Sequence, residues 1–285
     1  MAIELAKHYR TVILSADSRQ FYKELSIGTA KPTQAQLNEV QHFFINNKSI
    51  SELYGAGHFE KDAIALLNEL FKQHSLVIMV GGSGLYIDAV LNGVDDFVEV
   101  PMEVREELNK QFKEKGFVWL QNEVRKNDEV YFNSVDINNP QRLIRALEVS
   151  LHTGIPYSSY LKKIKAERNF TPVKILINTN REKLYAQING RVDEMMNNGL
   201  LQEAEQYKEQ RNFNALKTVG YKELYDYFDG KYNLETAIEK IKQHTRNYAK
   251  RQITWFKNKD KFTEFEPNEK EKIIYFIDKT FNFES

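Results

Sequence analysis

The stretch that most restricts the fold is "VIMVGGSGLYI", an apolar run that meets a glycine-rich turn and then the start of a helix. A short β-branched and apolar run without polar alternation reads as a strand buried on both faces, as in a parallel sheet. Residues 76–80 form such a run, and residues 11–14 form a second. Between them "FEKDAIALLNELFK", residues 59–72, carries its apolar side chains at helical spacing. Strand, helix and strand in that order predict an α/β sheet with right-handed crossovers. "PVKILIN", residues 172–178, is a further strand candidate, and residues 261–265 are a last one at an edge.

The region between those strands is different. Residues 98–171 offer no convincing strand; helical patterns cover 102–115, 117–126 and 140–152, with a short basic helix near 158–165. A helical block between strands of one sheet is most simply an inserted subdomain. The expected organisation is therefore an α/β core of residues 1–97 and 172–285, interrupted by an all-helical insertion of residues 98–171. After residue 180 the pattern is helical almost to the end, broken near Gly199 and at Gly230, with residues 234–257 as the last long helix.

Composition removes several function classes. The 285 residues hold 40 acidic and 40 basic side chains, so nucleic-acid binding must come from a local patch rather than from net charge. There is no cysteine, which excludes disulfides, thiol catalysis and Cys-ligated zinc. No apolar run approaches the ~20 residues that span a bilayer, and the N-terminus lacks the pattern of a signal peptide. A cytoplasmic, monomeric protein without membrane contact is expected. The six histidines fall at no metal-ligand spacing, and no Ser-His-Asp pattern is present. Any metal is expected to be a hard ion such as Mg²⁺, held mostly by oxygens of a phosphorylated substrate.

Four stretches can carry chemistry. "ILSADSRQFYKELSIGTAKP" places Asp17 just after a strand, where open α/β sheets bind ligands. Ser15, Ser18, Arg19 and Gln20 surround it with hydrogen-bonding groups, although an aspartate after a strand also serves simply as a turn or cap. In "VGGSGLY", Gly81, Gly82 and Gly84 would let backbone amides approach an anion, and Ser83 adds a hydroxyl near a helix N-terminus; the same glycines also suit a tight strand-to-helix turn. "NNPQRLIRALEV" sets Gln141, Arg142 and Arg145 on a polar helix face, while Leu143, Ile144 and Leu147 can pack the other side. Paired arginines suit phosphate, and a solvated face is the plainer alternative. The ending "HTRNYAKRQITWFKNK" mixes Arg246, Lys250, Arg251, Lys257 and Lys259 with Tyr248, Trp255 and Phe256. Such mixing marks RNA binders, or else a helix that buries its aromatics under a basic outer face. Lys217, Thr218, Tyr221 and Lys222 around Gly220 repeat the basic and aromatic character.

Taken together, "SADSRQFYKELSIGTAKP", "VGGSGLY", "NPQRLIRALEV", "NREKLYAQINGRVDEMMNNGLLQEA", "TVGYKEL" and "YAKRQITWFK" resemble, in order and across nearly the whole chain, the bacterial tRNA dimethylallyltransferases (isopentenyl-tRNA transferases). The resemblance implies a P-loop-kinase-like core with a helical insertion that contacts the tRNA anticodon stem-loop. It implies transfer of a dimethylallyl group from dimethylallyl diphosphate to N6 of the adenosine immediately 3′ of the anticodon, with Mg²⁺ assisting. It makes Asp17 the general base, with Ser83, Arg142 and Arg191 as further catalytic residues and Gly82, Ser83 and Arg191 beside the diphosphate. Ser18, Arg19, Gln20, Arg105, Gln141, Leu143, Ile144, Arg145, Lys217, Thr218, Gly220, Tyr221, Lys222, Lys250, Arg251 and Trp255 then join Asp17, Ser83 and Arg142 as tRNA contacts. Asp17 is also the one protein group that could reach a metal.

The family pattern begins with a strand and a GPTASGK[ST] P-loop, and nothing in this sequence matches them. The sequence therefore reads as a truncated chain of an active parent transferase, impaired by loss of a central strand and of the diphosphate-binding loop. A small-molecule P-loop-type kinase and a non-enzymatic tRNA- or RNA-binding module are the two alternatives. The kinase leaves the basic, aromatic tail helix unexplained.

Overall fold

The structure is a computed structural model that describes residues 1–95, 98–161, 165–259 and 261–282. The chain divides into two compact units, one of residues 1–92 with 168–285 and one of residues 93–167.

The first unit opens with α1 (Ala2–His8), which buries Leu5 and Ala6 and leads into β1 (Ile13–Ser15), whose three side chains are all buried. Helix α2 (Gln34–Glu39) is started by a reciprocal cap: the Thr33 hydroxyl accepts from the Gln36 amide, and the Gln36 side chain accepts from the Thr33 amide. Strand β2 (His42–Phe43), α3 (Ala56–Leu70), β3 (Ile78–Val80) and α4 (Gly84–Asn92) follow. Both β2 and β3 pair with β1 in parallel, with Ile13 opposite His42 on one side and Ile78 on the other. Under this sheet lie Leu14, Phe21, Phe44, Phe59, Ala63 and Val90.

The second unit is helical. Helix α5 (Met102–Asn127) is interrupted at Gly116, where φ is +78° and the helical dihedrals fail. The short α6 (Glu129–Phe132) precedes α7 (Pro140–Thr153), which is capped by the Asn139 side chain and ends at Gly154 in the left-handed region. Leu108, Leu120, Val124, Leu143, Ile144 and Leu147 form its core.

Returning to the first unit, β4 (Ile175–Ile177), α8 (Arg181–Asn197), α9 (Leu200–Gln206), α10 (Tyr221–Phe228), α11 (Leu234–Lys259), β5 (Thr263–Phe265) and α12 (Lys270–Phe281) complete the chain. Strands β4 and β5 pair in parallel, Ile175 opposite Thr263. Leu25, Val192, Leu200, Leu216, Leu224 and Ile241 join the helices α8 to α11 to the loop after β1.

The strand runs are shorter than their apolar stretches predict, but they fall in the predicted places. One sheet is expected, whereas the strands form two, in the orders β2-β1-β3 and β4-β5. Ile78 of β3 and Ile175 of β4 rest on one apolar cluster with Leu5 of α1 and Ile273 of α12, yet the two strands share no ladder. In place of the predicted basic helix near 158–165, residues 157–160 make a single 3₁₀ turn, and residues 162–164 lie outside the described residues. The buried Asp128 carboxylate accepts from both the Ser158 amide and its hydroxyl, which pins that turn. Helix α2 and the two-residue β2 have no pattern long enough to be read from the sequence.

Where the chain re-enters the first unit, Arg168 ties α3 to α4. Its guanidinium pairs with Glu60 and donates to the carbonyls of Ala89 and Val90 near the end of α4, with both charged side chains largely withdrawn from water. Arg168→Ala takes the guanidinium from a largely buried carboxylate and uncovers two helix-end carbonyls. It should cost roughly 2–3 kcal/mol of stability, read as a lowered urea midpoint with unchanged slope.

Candidate functional site

The carboxyl ends of β1 and β3 are stitched together. Past its last strand residue, the Ala16 amide donates to the Val80 carbonyl at 2.8 Å, and the Ser83 amide donates back to the Ala16 carbonyl at 3.3 Å. The Ser18 amide then donates to Ser83 Oγ at 2.9 Å. Asp17 therefore sits between two residues locked to the neighbouring strand's turn. Its Oδ1 accepts from the Arg19 amide at 2.8 Å, the geometry of an Asx turn. Burial pushes the Asp17 carboxyl above the ordinary aspartate range, against the amides of Arg19 and Gln20 and the Arg19 guanidinium, which pull it down. One Asp17 oxygen thus shapes the turn, as the turn reading expects, and the carboxyl is desolvated at a strand end.

Its neighbours differ in what they leave available. Arg19 is anchored by donating to the Asn214 carbonyl at 3.0 Å. Gln20 is tied up internally: its Oε1 accepts from Ser15 Oγ at 2.9 Å, and its Nε2 donates to the carbonyls of Thr29 and Ala30. It shapes the loop rather than presenting an amide to a ligand. Lys31 bridges the Tyr22 carbonyl and Asn46 Oδ1, and burial lowers it to about 8 against the pull of Glu203 and Glu24.

The glycine turn is shaped by packing as well as by the strand end. Gln252 of α11 donates to the Gly82 carbonyl at 2.8 Å, and a Cβ at Gly84 would lie 2.5 Å from the Trp255 ring. Lys259 pairs with Asp88 at 3.1 Å one turn further on. Helix α11 thus lies directly on the turn and on α4. Its mixed composition resolves by face: Gln252, Trp255 and Phe256 turn inward, while Lys250, Arg251 and Lys257 stay exposed.

The 217–222 segment joins the same region through its buried side. Tyr221 is fully buried and donates to Glu203 Oε1, while Lys217 and Lys222 are exposed and Thr218 half-exposed. The Gly220 amide donates to the buried Glu223, which also meets His244 Nδ1. Arg191 is exposed on α8.

In the helical unit, Gln141 and Arg142 are exposed at the start of α7. Leu143 and Ile144, taken from the resemblance as tRNA contacts, are buried in that unit's core, as Tyr221 is in the other. Packing claims these three side chains, so they support a surface rather than form it. Arg105 and Arg145 share one buried carboxylate, Glu148: Arg105 engages both of its oxygens, and Arg145 donates to Oε1 at 2.5 Å.

Three residues that matter here were absent from the sequence reading. Gln252 had a signal, since it stands three residues before Trp255 and so on the same helix face. Glu203 and Glu148 had none that was local: the amides Glu203 gathers are 175 or more residues away and Tyr221 is 18 away, and apart from the neighbouring Arg145 the partner of Glu148 is 43 away. Among the described residues no three His, Asp or Glu side chains converge as a metal cage. Asp17 offers one carboxylate, which fits a hard cation whose other oxygens come from a phosphorylated ligand.

The chain is similar to known proteins. The family model described as IPP transferase matches residues 20–259. A tRNA dimethylallyltransferase of Christiangramia forsetii is 50% identical over 275 residues, 96% of this chain and 91% of the relative. One from Flavobacterium johnsoniae is 46% identical over 284 residues, 97% of this chain and 92% of the relative. The crystal structure of a tRNA delta(2)-isopentenylpyrophosphate transferase from Staphylococcus epidermidis is similar at a TM-score of 0.68 and 32% identity, covering 98% of this chain and 94% of that one. A eukaryotic dimethylallyltransferase acting on tRNA shares the fold at a TM-score of 0.81 and 24% identity, over 99% of this chain and 76% of that one.

The electrostatics of Asp17 have a measurable sign. A carboxyl raised by burial favours the fold below its unfolded pKa and loses that contribution as pH rises through its folded value. Asp17→Asn should therefore raise the urea midpoint at pH 7, and the gain should vanish near pH 3, where the wild-type carboxyl is protonated in both states.

Proposed function

Because the chain belongs to the IPP transferase family, we propose that it transfers a dimethylallyl group from dimethylallyl diphosphate to N6 of the adenosine immediately 3′ of a tRNA anticodon. The observation that carries this reading is Asp17: a desolvated carboxylate, fixed by the Ser18–Ser83 bond and the Arg19 amide, at the joined ends of two parallel strands.

The adenine N6 amine is a weak nucleophile. As its nitrogen bonds to C1 of the dimethylallyl group, the C1–O bond to diphosphate breaks and one N6 proton must leave. Asp17 accepts that proton, and its raised pKa makes it a stronger base than an exposed aspartate. Ser83 holds the turn that faces it, and Gly82 and Ser83 lie beside the diphosphate with Arg191 supplying positive charge. Arg142, exposed at the start of α7, carries a catalytic role by the family resemblance alone. A bound Mg²⁺ would neutralise charge on the departing diphosphate, and Asp17 is the carboxylate that would help hold it.

The RNA is held by cationic and polar side chains that are exposed or partly so. Lys217, Lys222, Lys250 and Arg251 contact phosphates from the first unit, together with Arg19, whose guanidinium is already anchored on Asn214. Gln141, Arg142, Arg105 and Arg145 do so from the helical unit, where Glu148 fixes the last two as a pair. Trp255 contributes whatever part of its ring Gly84 leaves open.

The test incubates the full gene product with unmodified tRNA, dimethylallyl diphosphate and Mg²⁺, then analyses the digested nucleosides by mass spectrometry. Methylated adenosines differ in mass from the prenylated product, and N6-dimethylallyladenosine is expected. Asp17→Asn should lower kcat on the order of 10²–10⁴-fold while tRNA affinity holds. The wild-type rate should climb with pH and level off above a pKa higher than the ordinary aspartate value of about 3.9. Absence of the modified nucleoside, with tRNA bound, would overturn the proposal.

A further inference from the structure

Glu203, in the first turn of α9 and partly buried, gathers the loop that follows Asp17. Its Oε2 accepts from the amides of Ser26 at 2.8 Å and Ile27 at 2.9 Å, and its Oε1 accepts from the Gly28 amide at 3.0 Å and the Tyr221 hydroxyl at 2.5 Å. Three consecutive amides converging on one anion form a backbone nest, and here the anion is a side chain of the same protein. Gly28 is what allows this: a Cβ there would lie 2.6 Å from the Tyr221 ring and hydroxyl.

From the nest, a continuous set of bonds runs to the strand end. Thr29 Oγ1 donates to the Leu25 carbonyl at 2.6 Å, and the Thr29 and Ala30 carbonyls both accept from Gln20 Nε2. Gln20 Oε1 in turn accepts from Ser15 Oγ. Ser15 and Gln20 flank Asp17 on either side in the chain. Ala30 has a φ of +49°, an unfavourable conformation for a residue with a Cβ, which persists only where the surroundings impose it. The Glu203 nest imposes it from one side, and Lys31, bonded to Tyr22 and Asn46, from the other.

We propose that Glu203 is a positioning residue for the Asp17 base, acting through the 26–30 loop and Gln20; this rests on the reading of Asp17 as the base. A carboxylate suits the nest because it only accepts. An amide in its place would turn an NH₂ donor toward amide or hydroxyl donors, so the loop would have to open.

Kinetics of wild type, Glu203→Gln, Asp17→Asn and the double variant, measured as single turnovers on unmodified tRNA, decide the matter. Glu203→Gln should lower kcat roughly 10- to 100-fold, the scale of a displaced reacting group, with KM for dimethylallyl diphosphate unchanged. In the Asp17→Asn background the same change should cost nothing further, since a base that is gone cannot be misplaced. An equal loss in both backgrounds, or full activity in Glu203→Gln, would overturn the inference while the Asp17 reading stands. Full activity in Asp17→Asn, with Glu203 intact, would overturn that reading and the positioning role together. Should Glu203→Gln fail to fold, Tyr221→Phe removes one of the four donors and keeps the ring against Gly28. The same non-additivity with Asp17→Asn is then expected at smaller amplitude, and plain additivity overturns the proposal.

Discussion

The candidate site depends on one junction: the carboxyl end of β1 hydrogen-bonded across to the turn that ends β3. The Ala16 and Ser83 amides and the Val80 and Ala16 carbonyls satisfy one another there, just where a parallel ladder stops and its backbone groups would otherwise face solvent or a ligand. Because Ser18 then bonds to Ser83 Oγ, the residue between, Asp17, inherits its place from two strands rather than from a loop of its own. A side chain held that way loses little freedom on meeting a substrate, which is what a base at a reacting centre needs.

Carboxylates recur as the organisers of this protein. Glu203 gathers three loop amides and a tyrosine hydroxyl, Glu148 gathers two arginines, Glu223 takes the Gly220 amide and His244, and Asp128 takes the Ser158 amide and hydroxyl. An ionised carboxylate offers two oxygens and only accepts, so one of them can satisfy several donors that would be costly to bury alone. Asp17 is the contrast. Burial outweighs its partners and its ionised form is strained, a local loss of stability of the kind commonly found where proton transfer takes place.

Several parts of the fold were legible from the chain. The apolar runs before Ser15 and Gly81 became β1 and β3, since short β-branched stretches have few other ways to be buried. The strandless stretch expected at residues 98–171 overlaps the helical unit of residues 93–167, and Asp17 lies just after a strand, as its place in the sequence predicts. The tail helix was legible only as an open choice between an RNA face and a packed one; the structure packs Trp255 against Gly84 and leaves Lys250 and Arg251 exposed. Leu143, Ile144 and Tyr221, tRNA contacts by resemblance only, are buried, as the apolar spacing of the first two already allowed.

By itself, then, the sequence determined the order of strands and helices, the helical interruption and the polar cluster after β1, because these follow from periodicity and from neighbours a few residues apart. Tertiary structure alone decided that the strands divide into two sheets, that Gln252 and Trp255 cover the glycine turn, and that Glu203 holds the loop beside Asp17. Each of these joins groups from distant parts of the chain, whether strands, side chains or backbone. Local pattern carries no information about which donor a buried carboxylate meets or which ring a glycine makes room for.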